Sequence, residues 1–182
     1  MSLDPIHLIT RFQQGDHTAF EGLVRLCQDR VYALCRRLLG NAHEAEDAAQ
    51  DTFVKAYRNL GRFTPEASFT TWLYRIAVNT CHDYRKRPFF AALFVRAGDE
   101  ACPPPELSHT MTPERLLEAR QGREAVEACL QRLSPKLREV IVLKEMEGLS
   151  YEEMALVLEV SLGTVKSRLS RARMGLLALM KK

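Results

Sequence analysis

The stretch LGTVKSRLSRAR, from Leu162 to Arg173, carries four basic residues in twelve and no acid. The chain as a whole is only mildly basic, at net +3, yet from Ser161 to Lys182 there are six Lys and Arg and no Asp or Glu. A block of like charge is most often a solvated face or a tail. The pattern inside the block decides otherwise. Read from Val165 at helical spacing, the apolar residues Val165, Leu169, Ala172, Leu176 and Leu179 stay on one stripe. At roughly 100° per residue, Ser167, Ser170 and Met174 then point the opposite way. Lys166 and Arg171 flank them, while Arg168 and Arg173 fall nearer the apolar edge. The block reads as a packed helix whose outer face sets short hydroxyls between long cations. A disordered tail would not keep that stripe.

The residues upstream, LSPKLREVIVLKEMEGLSYEEMALVLEVSLGT, read as two more helices. Ser134 is a natural N-cap and Pro135 suits a first helical turn. Gly148 can take the left-handed position that ends that helix. Ser150 followed by Glu153 is a capping box, so a new helix starts at Tyr151. It is expected to bury Met154, Ala155 and Leu158, then to break over Glu159-Val160-Ser161. Two short helices with a tight turn, the second basic outside and apolar inside, make a helix-turn-helix, whose second helix enters the major groove of DNA.

With 182 residues, 46% hydrophobic and 27% charged, the chain can build one core or two small ones. No apolar run approaches the ~20 residues that a membrane-spanning helix needs. The start, MSLDPIHLIT, lacks the basic region and apolar run of a signal peptide, so cytoplasmic residence without membrane insertion is expected. The five cysteines, Cys27, Cys35, Cys81, Cys102 and Cys129, are scattered, and no Cys or His lies three or four residues from another. Helical zinc-ligand spacing is therefore missing, and neither a metal nor a cofactor is expected. The triplet Cys81-His82-Asp83 cannot act as a catalytic set on a helix, because successive side chains diverge by roughly 100°. No catalytic motif supports an enzyme.

The expected architecture is all-α, with two small helical domains and a flexible linker. Phe20, Leu23, Cys27, Val31, Leu34 and Leu38 mark one helix that stops at Gly40-Asn41. A second, from about Glu44 to Leu60, buries Ala45, Ala49, Phe53, Ala56 and Leu60. A third starts near Ser68, carries Trp72, Ile76 and Ala77 inward, and ends at YRKRP. Between Cys102 and Pro113 stand four prolines, which regular helix does not accept. The boundaries are then an N-terminal domain over 1–90, a linker over 91–118 and a helix-turn-helix domain over 119–182. The apolar run FFAALFV, Phe89 to Val95, is either packed on the first domain or a strip for a partner.

Three blocks, EDAAQDTFVKAYRNL, SFTTWLYRIAVNTCHDYRKR and LSYEEMALVLEVSLGTVKSRLSRAR, in this order and spacing, resemble bacterial extracytoplasmic-function sigma factors. The resemblance implies two helical domains that bind core RNA polymerase, direct it to promoters and start transcription of a stress- or envelope-related set of genes. It also implies restraint by an anti-sigma factor, which can hold such a protein at the inner face of the membrane. From Glu44 to Asp51 there are four acids and no Lys or Arg, with Glu46, Asp47, Gln50 and Asp51 expected on the exposed side. By resemblance, Asp47, Gln50, Asp51, Phe53 and Tyr57 match the segment that grips the β′ clamp helices of the polymerase, the β subunit being the other contact. Carboxylates facing a basic partner favour fast, oriented docking. They would repel DNA, so the acidic and the basic helix serve two partners.

The stretch RFTPEASFTTWLYRIAVNTCHDYRKR interleaves aromatic and basic residues, the combination that stacks bases and holds phosphates of single strands. By resemblance this helix and the loop before it read the minus-ten element, with a non-template base flipped into a pocket matching Thr64, Pro65, Glu66, Ala67, Ser68 and Phe69. Extruding a base costs a few kcal/mol, which a shaped pocket must offset. Relatives often carry a glycine-bearing loop where this chain has Pro65-Glu66. Trp72, Asn79, Asp83, Arg85 and Lys86 match the adjoining DNA contacts. In the basic helix, Lys166, Ser167, Ser170 and Arg171 match the positions that face bases of the minus-thirty-five element, and Thr164, Arg168 and Arg173 those that meet phosphates. The family's helix-turn-helix usually has glycine where this chain has Glu159. Two rival readings stay open: a plain helix-turn-helix regulator with a sensor or dimerisation domain, and a small enzyme fused to a DNA-binding tail.

Overall fold

A computed structural model describes residues 4–65, 67–87 and 124–180. The linker expected over 91–118, the apolar run Phe89 to Val95, Cys102 and Glu66 lie outside these residues. Among the described residues all regular structure is helical: α1 (Pro5–Gln13), α2 (Ala19–Leu39), α3 (Ala42–Leu60), α4 (Phe69–Lys86), α5 (124–132), α6 (Pro135–Ile141) with a π turn (Val142–Met146), α7 (Tyr151–Leu158) and α8 (Leu162–Met180). The N-terminal lobe is α1–α4 and the C-terminal lobe α5–α8.

Local chemistry sets the helix ends. Asp4 accepts from the Ile6 amide and Pro5 opens α1; Asn41 accepts from Glu44 at the head of α3, and Ser68 from Thr71 at the head of α4. Helix α7 begins with the capping box of Ser150 and Glu153 that the spacing predicts. The stripe of α2 lies inside as expected at Leu23, Cys27, Val31, Leu34 and Leu38, whereas Phe20 is half-buried. Phe53, Trp72 and Ile76 are likewise half-buried rather than inside, because each lies at the margin of its helix's inner face. In α7 the buried residues are Met154 and Val157, while Ala155 and Leu158 are half-buried. That helix packs against both α4 and α8, which shifts its inner face by one position.

Two departures from a plain helical reading govern how the C-terminal lobe is placed. First, α6 does not run straight to Gly148 (φ 72°): the π turn comes between, and Ser134 caps without a side-chain bond. Second, the lobes pack directly, α4 on α7 and α2 on α6. The last carbonyls of a helix have no partner within it. At the end of α2 they are met by the other lobe: Gln131 Nε2 donates to Arg37 O at 2.9 Å and Arg138 Nη1 to Leu38 O at 2.8 Å. Gly40 follows at φ 80°, and a Cβ there would stand 2.5 Å from Gln131 Oε1. Glycine is needed twice at this point, for the left-handed backbone and for the close approach of Gln131. Gly40→Ala should therefore lower unfolding stability by roughly 1–2 kcal/mol or more; an unchanged denaturation midpoint would refute this account of the α2 terminus.

Candidate functional site

The outer face of α3 is acidic at one end and apolar at the other. Glu46 and Gln50 are exposed, but Asp47 and Asp51 are half-buried rather than free. Asp51 accepts from the Tyr84 hydroxyl at 2.9 Å. Burial first, and then this bond, push the Tyr84 hydroxyl above its ordinary pKa. Further along, Val54 and Tyr57 are 47% and 43% exposed, and with Phe20, Phe53 and Arg58 they line a shallow apolar depression. Tyr57 stands edge-on to Phe12 and Phe20, with ring centroids at 5.2 and 5.1 Å. Val54 is absent from the residues that the resemblance implies, although it stands one helical turn beyond Gln50 on the same face.

The loop before α4 presents Thr64, Pro65 and Ser68 to solvent, with Ala67 half-buried and Phe69 buried. Gln13 pins its root, donating to Leu60 O and Phe63 O at 3.2 and 2.9 Å. Phe63, Phe69 and Trp72 form one aromatic cluster with centroids 5.2–6.1 Å apart. Trp72 therefore leans on a packed Phe69 and keeps one side toward the loop. Beyond it, Asn79, Asp83 and Lys86 are exposed along α4, and Asp83 is paired with Lys55 at 3.2 Å.

Arg85 does not share that face. It turns to the C-terminal lobe, where Glu139 accepts from it and from His82 Nε2 (2.9 Å). Burial alone would raise the Glu139 carboxyl, but the bonds from His82 and Arg85 outweigh it and hold the group below its ordinary value. The triplet Cys81-His82-Asp83 diverges as its helical placement requires: Cys81 is buried, His82 meets Glu139 and Asp83 meets Lys55. Among the described residues no group of three or more His, Cys, Asp or Glu could hold a metal ion.

Helix α8 is seated by Val165, Leu169 and Ala172, all buried. Ser161 is its cap, accepting from the Thr164 amide at 3.2 Å and sharing a 2.9 Å hydroxyl contact with Thr164. Lys166, Ser167, Ser170 and Arg171 are exposed together, and Arg171 Nε folds back to Ser167 O at 3.3 Å. Arg168 is half-buried. Arg173 already has a partner: its Nε and Nη2 donate to Glu145 at 3.0 and 2.7 Å. The turn before α8 holds Glu159 at φ 53°, ψ 46°, the left-handed region that costs a non-glycine residue roughly 1–2 kcal/mol.

Family models for Sigma-70 region 2 and Sigma-70 region 4 match residues 23–88 and 123–176. The chain is 39% identical over 91% of its length, and 88% of the relative's, to RNA polymerase sigma-H factor of Pseudomonas aeruginosa. It is 37% identical to the ECF RNA polymerase sigma factor SigW of Bacillus subtilis, over 91% of this chain and 90% of that one. The chain belongs to the ECF RNA polymerase sigma factors. Among solved structures, CnrH in complex with the cytosolic domain of CnrY is similar at TM-score 0.66 and 32% identity, covering 96% of this chain and 95% of that one. The sigma factor RpoE in complex with the anti-sigma factor NepR from Bartonella quintana is similar at TM-score 0.69 and 28% identity, covering 89% and 96%.

Transcription initiation is thus the process in which this sigma factor works, with core RNA polymerase and promoter DNA as its partners. The acidic-apolar face of α3 and the loop and open face of α4 fall within region 2, and α8 within region 4. No helix of the described residues is long and apolar enough to cross a membrane. The strained turn of this sigma factor yields a stability test. Glu159→Gly relieves the left-handed cost but loosens the unfolded chain, for a net gain of roughly 0.5–1 kcal/mol. Chemical denaturation should record that gain with α8 still able to bind DNA, and a loss of stability would show that Glu159 is not strained.

Proposed function

We propose that the three surfaces divide the labour of initiation. The face of α3 around Gln50, Val54 and Tyr57, with Asp47, Asp51 and Phe53 at its margin, docks on core polymerase. The loop from Thr64 to Phe69, with Trp72, receives the minus-ten strand, and Asn79, Asp83 and Lys86 line its path. Helix α8 enters the minus-thirty-five major groove, reading bases through Lys166, Ser167, Ser170 and Arg171 while Thr164, Arg168 and Arg173 meet phosphates. The observation that carries this reading is the pairing on one chain of an acidic-apolar helix face with a basic, hydroxyl-bearing one. One cannot serve DNA and the other must, so two partners of opposite charge are held at once.

The protein acts by binding and carries out no chemistry of its own. It works in the cytoplasm and is held in check by an anti-sigma factor; the similar chains CnrH and RpoE are each solved with such a protein or its cytosolic partner domain bound. Run-off transcription with purified core polymerase tests the reading, since a plain helix-turn-helix regulator would bind duplex DNA but start no transcript.

Val54→Glu places a charge in the apolar depression without touching the core, and should weaken retention of core polymerase by at least about tenfold. Unchanged retention by the folded variant would remove α3 from the docking surface. On α8, a guanidinium at Arg171 can meet a base edge with two parallel donors. Arg171→Ala should cost about 1–3 kcal/mol on the matched element and little on scrambled duplex, whereas Arg173→Ala should weaken both alike. Equal losses for Arg171→Ala would make that residue a phosphate anchor.

A further inference from the structure

Helix α4 has two polar faces, and only one is open. The other carries Thr71, Tyr74, His82 and Arg85, and it lies under the C-terminal lobe together with Arg30 and Arg37 of α2. Each group there meets a carboxylate. Glu139 takes His82 and Arg85; Glu147 takes the Tyr74 hydroxyl, Arg37 at 3.3 Å and Arg30 at 3.6 Å; Glu153 accepts from Thr71 at 3.1 Å. The side chains of Glu139 and Glu147 are only 3% and 5% exposed.

Two features mark this as a contact made to open. Its polar bonds are ones that water can replace, as in interfaces between domains that move. The C-terminal lobe also keeps its shape alone, since Arg138 bonds three carbonyls within it, those of Leu130, Gln131 and Leu133. A third feature points to what the face binds when free. Arginines, a histidine, a tyrosine and a threonine converging on one surface form the donor set that holds a nucleic-acid backbone. Glu139 offers a single oxygen, Oε1, to both His82 and Arg85, and Nη1 of Arg85 is buried with no hydrogen-bond partner. A phosphate, with more acceptor oxygens, would fill that place better.

We propose that the seam between the lobes is a latch in which Glu139 and Glu147 occupy the positions that DNA phosphates take on His82-Arg85 and Arg30-Arg37 once the lobes part. The free chain is thereby closed over part of its own nucleic-acid face. The docking face of α3 stays open in the closed chain, so polymerase can bind first and DNA reaches the covered face only after opening. This inference rests on the reading of α4 as a promoter-binding helix.

The test uses the full chain with Glu139→Gln and Glu147→Gln together, which keep side-chain shape and remove charge. The control, Glu127→Gln with Glu152→Gln, makes the same charge change at exposed positions outside the seam. Small-angle scattering should show the seam variant swollen relative to wild type and control. Anisotropy with a fluorescent random-sequence single strand should show roughly tenfold tighter binding than the control, the gain expected if about a tenth of wild-type molecules are open. Adding Arg85→Ala should abolish that gain. Run-off transcription by the loaded polymerase should match wild type, because the latch is already open there. Swelling without a gain over the control would mean that the covered face is no DNA face, and no swelling would mean that the carboxylates do not hold the lobes; either overturns the proposal. Should Glu139→Gln lose helicity by circular dichroism, Glu147→Gln alone is held to the same outcomes. Failure of wild-type protein to start any transcript with core polymerase would instead overturn the sigma-factor mechanism itself.

Discussion

Arg138 is 1% exposed, and its guanidinium donors are spent on backbone: Leu130, Gln131 and Leu133 in its own lobe and Leu38 at the end of α2. Burial, helped by the nearby charge of Arg85, draws its pKa down to about 10, so it stays a cation at neutral pH. Buried carbonyls without donors cost about 1–3 kcal/mol each, so one side chain carries the satisfaction of the whole α5–α6 corner. Everything beyond depends on where that corner sits. Glu139, the next residue, is aimed at Arg85 because Arg138 is fixed, and the π turn that comes after it delivers Glu147 to Tyr74.

The helices were legible because each is specified by nearby residues. Asn41, Ser68, Ser134 and Ser150 cap, Gly40 and Gly148 stop, and the stripe of α8 repeats at the helical period. The π turn was not, since VLKEM has the apolar-polar pattern of an ordinary helix and the extra residue shows only in the hydrogen bonds. The seam was not legible either. Its partners lie 54 to 110 residues apart, and in the sequence Glu139, Glu147 and Arg85 look like any solvated charges. Charge type alone placed Arg85 beside Asp83 and Lys86, whereas helix phase turns it to the other side.

The same contrast runs through the functional surfaces. On α8 the base-facing set is contained in one helix, and Lys166, Ser167, Ser170 and Arg171 emerge together as the periodicity requires. Arg173 could be placed at the helix margin from sequence, but its partner Glu145 comes from the end of the neighbouring helix and no local signal announces it. On α3, the pattern of acids drew attention to Asp47 and Asp51, which Tyr84 and burial partly withdraw, and away from Val54, an apolar residue that reads as core until its phase is set against Gln50.

The π turn at Val142–Met146 constrains how this chain can change in length. A π turn holds one residue more than the α-helix it interrupts, so deleting any residue within it restores regular winding. Every position downstream would then be rotated by about 100° about the helix axis. Glu147 would swing away from Tyr74, and α7 and α8 would leave α6 at a different angle. Substitutions in this segment need only keep Val142 and Leu143 apolar. A lineage can therefore exchange most side chains here freely, while gaining or losing a single codon would re-aim the DNA-reading helix.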